Sequence, residues 1–144
     1  MITGEAFVER LVAAKASRSP EAWQEMIRED VVMHTPRFFK PITDRNHVIA
    51  VLEGILTILP DFHWHRIWHG DGECVMEFTG HVNGGKTVAH GIDLFEYDED
   101  GRISKLTVFL RPTSALLEIA EGEDAMVREM LEAAAASRDS ETAR

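Results

Sequence analysis

His90 to Arg111, HGIDLFEYDEDGRISKLTVFLR, contains two alternating runs, residues 90–97 and 103–110, on either side of a turn. Asp98-Glu99-Asp100-Gly101 between them joins acidic turn formers to a glycine that can take a positive φ, so the stretch predicts a β-hairpin. On the first strand Ala89, Gly91, Asp93, Phe95 and Tyr97 share one face, and His90, Ile92, Leu94 and Glu96 share the other. On the second, Leu106, Val108 and Leu110 lie opposite Thr107, Phe109 and Arg111. Apolar residues on both faces predict a hairpin covered on both sides. Asp93 is then a carboxylate in mid-strand with little water around it. Such a setting raises an aspartate's pKa and recurs at functional sites. An aspartate bonded to a neighbouring loop, or standing at a wet rim, satisfies the same pattern.

Upstream of the hairpin, Thr3 can cap a helix over residues 4–16 whose stripe is Phe7, Val8, Leu11, Val12 and Ala14. Ser19-Pro20-Glu21 restarts a helix with a capping hydroxyl, a proline at the first position and an acid in the first turn. That second helix carries Trp23, Met26 and Ile27 and is predicted to end near Glu29, before a short strand from Asp30 to Thr35 that Pro36 halts. The loop PRFFKPI, residues 36–42, presents Phe38 and Phe39 as a lid or mouth. Thr43 or Asp44 caps a third, largely apolar helix closed by Pro60.

From Asp61 the period changes to two, with Phe62, Trp64 and Trp68 as an aromatic face that Arg66 interrupts. Residues 74–82 form the next strand, and Asn83-Gly84-Gly85 turns the chain into the strand bearing Asp93. After Arg111 a last apolar helix begins at Pro112-Thr113-Ser114, which Gly122 bends or breaks. The pattern predicts one α+β domain over residues 1–135 and a frayed polar tail over 136–144. Its architecture is a cone-shaped curved sheet, antiparallel or mixed, wrapped around three N-terminal helices with a C-terminal helix added. A conical cavity would lie between sheet and helices, open near Phe38 and Phe39.

Composition narrows the functions. The 144 residues carry a net charge of −10, and no basic face is available for a nucleic-acid backbone. No run approaches a membrane span, MITGEAFVERL lacks the features of a secretion signal, and the single Cys74 cannot form an internal disulfide. A cytoplasmic protein is expected, with Cys74 as a small buried hydrophobe. His63, His65 and His69 have a spacing that some zinc sites use, but no Cys or suitably placed Glu completes a set, so no metal and no cofactor is expected.

The order of elements resembles the nuclear-transport-factor-two-like superfamily, which includes SnoaL-like cyclases, scytalone dehydratase and ketosteroid isomerase. Ile92 to Phe109, IDLFEYDEDGRISKLTVF, is similar to the aspartate-bearing hairpin of ketosteroid isomerase, and Glu21 to Pro36, EAWQEMIREDVVMHTP, to its second helix and first strand. The resemblance implies a cystatin-like α+β barrel. It places Asp93 on the isomerase's neutral aspartic acid, a hydrogen-bond donor to the developing oxyanion. It places Thr35 on the general base and Leu11 on the oxyanion tyrosine, and neither can do that work. Steroid isomerisation by the family mechanism is therefore not expected.

Strand parity from these matches puts His34, His81 and His90 on the outer face, where superfamily members often dimerise. A one-residue register slip would instead turn His81 and His90 inward as a His/His/Asp site. Asp93 and Thr35 are the candidate catalytic residues. Trp23, Met33, Phe38, Phe39, Leu56, Trp64, Phe78, Phe95, Leu106 and Leu110 are the candidate lining for a small apolar molecule, and Gly80 and Gly91 either leave space for it or let the sheet bend. The expected function is small-molecule binding, with a cofactor-free isomerase, dehydratase or cyclase acting on an oxygenated apolar metabolite as its enzymatic form. The alternative is a dimeric interaction module with a filled core.

Overall fold

The computed structural model describes residues 1–142. Helix α1 spans Gly4–Ser17, capped by the Thr3 hydroxyl, which accepts from the Ala6 amide, and buries Phe7, Leu11 and Ala14. Ser19 caps α2, Pro20–Met26, with Pro20 in its first turn. This helix stops earlier than expected, because β1 already begins at Ile27 and runs to His34. Ile27 pairs with Ile103 in β5 (Ile103–Arg111), so sheet pairing rather than helix propensity claims residues 27–29. Asp44 caps α3, Arg45–Ile58, with its carboxylate accepting from the Asn46 and His47 amides.

Strands β2, His63–Gly70, β3, Glu73–His81, and β4, Val88–Tyr97, precede β5. The sheet order is β1-β5-β4-β3-β2, with β1 parallel to β5 and every other pair antiparallel. The deciding hairpin is formed as expected, with Gly101 at φ 79°. Five strands thus make a mixed sheet whose inner face lies against helices, the cystatin-like α+β architecture.

Three local expectations change. A bulge between Trp64 and Arg66 sets two β2 residues against one of β3, which reverses parity. Trp64 faces inward and Trp68 faces outward at 47% exposure, so the two do not share a face. The hairpin is covered on one side only. Its inner residues are buried apart from the half-buried Val108 and Leu110, while on the outer side Ile92 and Leu94 are half-buried and Phe109 is 53% exposed. Helix α4, Thr113–Thr142, does not break at Gly122. A Cβ there would lie 3.0 Å from Ile58 Cδ1, so this glycine serves close approach of α4 to α3. The helix continues past the expected boundary at residue 135 and is exposed from Val127 to Asp139, while residues 143–144 of the predicted tail lie outside the described residues.

Candidate active site

The inner face is built in layers. Trp64 pairs with Phe78 and Phe78 with Gly91; Met76 pairs with Asp93 and Asp93 with Val108; Cys74 pairs with Phe95 and Phe95 with Leu106. In the third layer Phe7 of α1 fills the space, with its ring 5.9 Å from Phe95 and stacked 4.0 Å from Tyr97. The outer two layers are not filled. They bound a cavity of about 380 Å³ between the sheet, α3 and α4.

Of the predicted lining, Trp23, Met33, Thr35, Phe38, Leu56, Trp64, Phe78, Asp93 and Leu110 border this cavity. Phe95 and Leu106 share the inner face but lie one layer deeper, in packed core. Phe39 is fully exposed and points away, while its neighbour Phe38 borders the mouth. Gly80 and Gly91 leave no room for a ligand, because Leu59 and Phe62 occupy the space over the first and Phe78 with the Phe109 carbonyl that over the second.

Asp93 forms the floor. It is 7% exposed, and its Oδ2 accepts a 2.9 Å hydrogen bond from Trp64 Nε1. The indole reaches diagonally across β3 to make this bond. Among the described residues nothing donates to the other carboxyl oxygen, Oδ1. Burial raises the Asp93 pKa from 3.8 to about 7, and the Trp64 bond opposes that rise. Near neutral pH the group is therefore part carboxylic acid, with its proton on the oxygen that Trp64 leaves free. Cys74, in the next layer, has its thiol pushed up to about 12 by burial and by Asp93, so it is held as an inert thiol.

Thr35 lies just beyond β1, and its Oγ1 accepts from the Arg37 and Phe38 amides, both at 3.3 Å. The hydroxyl closes a turn that shapes the mouth, and it cannot act as a base. Arg37 then joins the loop to α4 through Glu123 at 3.2 Å and Asp124 at 2.7 Å, with its guanidinium 4.9 Å from the Phe38 ring. Burial holds Glu123 above the usual carboxylate range, against the pull of Arg37. This clasp joins residues 86 and 87 positions apart, and no spacing in the sequence announces it. Lys15 of α1 also borders the cavity, with its ammonium 5.5 Å from the Phe62 ring centroid and 5.7 Å from that of Trp64. It stands one turn beyond Leu11 on the same helix face, which is the only sequence signal for it.

Of the histidines, His47 of α3 borders this chamber, and those on or beside the strands do not. His81 Nδ1 lies 2.6 Å from Asp61 Oδ2, and His90 Nε2 lies 2.7 Å from Glu77 Oε2. They are not cross-strand partners, because His90 stands opposite Thr79 and His81 opposite Val88. The His63 and His65 rings are 5.4 Å apart, while the bulge turns His69 inward beside Gly4. Among the described residues no group of three or more His, Cys, Asp or Glu is placed to hold a metal ion. Nor is any described helix long and apolar enough to cross a membrane.

A curved mixed sheet closed by helices is the architecture of the nuclear-transport-factor-two-like superfamily. Within it, the SnoaL-like domain pattern matches residues 8–106, and the chain belongs to that family. Among solved structures it is similar to a steroid Δ-isomerase from Pseudomonas aeruginosa, at 29% identity and a TM-score of 0.81 over 89% of this chain and 93% of that one. An uncharacterised protein with a cystatin-like fold from Silicibacter pomeroyi is 26% identical, with a TM-score of 0.77 over 85% of each chain. A putative SnoaL-like polyketide cyclase from Jannaschia shares the fold, at 13% identity and a TM-score of 0.61 over 78% of this chain and 88% of that one. No curated protein matches.

Proposed function

We propose that this protein binds a small, mostly apolar molecule in the cavity and holds one of its oxygens with the neutral carboxyl of Asp93. One observation carries the reading: a buried acid on the wall of an apolar chamber has one oxygen fixed by Trp64 and the other without a partner among the described residues. Below pH 7 that oxygen bears a proton and donates to a carbonyl or hydroxyl oxygen; above it, the charged form repels a carbonyl oxygen. On a reactive carbonyl compound the contact would stabilise a developing oxyanion, worth about 3 kcal/mol when well aimed. That is the contribution a cofactor-free isomerase, dehydratase or cyclase would draw from it. The likeness to a steroid Δ-isomerase supports this class. Steroid isomerisation by the family mechanism is not supported, since Thr35 is spent on a turn and Leu11 is buried and apolar. The chamber itself favours ligand binding over a filled-core module.

Binding of acetylnaphthalene, an apolar ketone, tests the proposal through quenching of tryptophan fluorescence. Affinity should fall as the pH rises through about 7. Trp64→Phe removes a bond that favours the carboxylate, so it should move this midpoint upward. Asp93→Asn, whose amide donates at every pH, should bind with no such midpoint. Wild-type binding that is equal on both sides of neutrality would remove Asp93 from the site.

The same chain is proposed to form a homodimer through the outer face of the sheet. Trp68 and Phe109 are exposed there at 47% and 53%, with Val75, Ile92 and Leu94 half-buried between them. An apolar strip across four strands is costly to leave in water. Sedimentation should show a dimer at micromolar concentration and a folded monomer for Phe109→Glu. A wild-type monomer throughout would refute this.

A further inference from the structure

The cavity has a second polar group that the reading above does not use. Lys15 reaches it from α1, and among the described residues no carboxylate pairs with its ammonium and no hydrogen bond satisfies it. The other cationic side chain of the lining that carries a fixed charge, Arg37, is paired twice. The ammonium is instead held near the rings of Phe62 and Trp64. Ring contacts of this kind help keep a cation charged, but they supply no counter-charge. A half-buried cation on an apolar wall lacks an anion, and burial accordingly lowers its pKa from 10.5.

Position makes the deficit informative. Trp64 stands between the two groups, with its Nε1 on Asp93 and its ring beside Lys15. Lys15, Leu56 and Phe62 also border a shallower depression of about 180 Å³ with Arg18 and Pro60, so Lys15 marks where the chamber meets a second, outer recess. An anion placed there would keep contact with water while the body of the molecule lay against the apolar wall.

We propose that Lys15 and Asp93 are the two polar ends of one site, which selects an apolar molecule carrying a carboxylate at one end and a carbonyl or hydroxyl oxygen at the other. The proposal rests on the reading of Asp93 above and adds the charge of the substrate. Asp93 receives the neutral oxygen and Lys15 the carboxylate. Exchange of the two is disfavoured, since a carboxylate at the floor would meet an acid that is partly charged near neutrality.

The test uses acetylnaphthoic acid, with its acetyl and carboxyl groups at opposite ends of the ring system, against the amide of the same acid. At about pH 6 the carboxylate is ionised and Asp93 is mostly neutral. The acid should bind about 10–100-fold more tightly than the amide, the range for a charge-assisted contact. Added salt should narrow that gap. Lys15→Met should abolish the preference, and Lys15→Arg should retain it. An equal affinity of acid and amide in the wild type, or a preference that survives Lys15→Met, overturns the proposal. If acetylnaphthalene keeps its pH midpoint near 7 while that preference is absent, only the role of Lys15 fails. Absence of all binding overturns both readings together.

Discussion

Asp93→Asn is expected to stabilise the protein at pH 8 and to leave its stability almost unchanged at pH 4. The folded chain holds the Asp93 proton up to about pH 7, whereas an unfolded aspartate releases it near 3.8. Between those values the native state binds more protons than the unfolded one, so this group's contribution to stability falls as pH rises. The loss develops between about pH 4 and 7 and is constant above. A displacement of that size corresponds to about 4 kcal/mol. That figure already contains the Trp64 bond, which the asparagine oxygen still accepts. A gain of about 4 kcal/mol at pH 8 translates to a rise in Tm of about 12 °C for a domain of this size. The quantity to measure is the Tm difference between variant and wild type across the pH range, because Asp61 and Glu77, whose partners hold them below the usual carboxylate range, contribute with the opposite sign and cancel in that difference. A difference that does not change with pH would mean that Asp93 carries no buried titration.

Why Asp93 could be found from sequence and its partners could not is a matter of range. Alternation along residues 88–97 is a local property, and it placed Asp93 on the inner face beside Gly91 and Phe95 without further information. Caps behaved the same way: Thr3, Ser19 and Asp44 each lie within three residues of the amides they satisfy. Trp64 is different. Its bond to Asp93 depends on the β2–β3 register, and a single bulged residue decides whether Trp64 or Trp68 enters the chamber. Nothing around His65 signals that insertion. The same limit applies to depth. Phe95 and Leu106 have the correct parity for lining, but only the position of Phe7 on another element shows that their layer is full. The Arg37 clasp and the ammonium of Lys15 arise where a loop or helix meets distant elements, so the sequence yields the acid and the three-dimensional structure yields its surroundings.

Gly91→Ala is the substitution expected to cost the most stability, although it adds one methyl group. In an ordinary strand the change would be mildly favourable, since alanine loses less backbone entropy on folding. At Gly91 the added carbon would collide with the backbone carbonyl of Phe109 and lie 2.7 Å from Cζ of Phe78. A side chain can rotate away, but the carbonyl belongs to β5 and is fixed by the ladder in which Gly91 stands opposite Leu110. Relief therefore requires the two central strands to separate, and a loss of about 3 kcal/mol or more is expected, the upper end for overpacking. Gly80→Ala is the control. Its Cβ would meet the Leu59 Cβ at 3.1 Å and Asp61 Oδ1 at 3.4 Å, contacts relieved by a small displacement of residues 59–61, for about 1 kcal/mol. Urea denaturation of both variants should separate them clearly. Phe78 also stacks 4.9 Å from Phe62 and forms the cavity wall, so the folded fraction of Gly91→Ala should bind acetylnaphthalene weakly as well. If Gly91→Ala proves no less stable than Gly80→Ala, the close approach of β4 to β5 at this layer is wrong. The wall that carries Asp93 would then have to be redrawn.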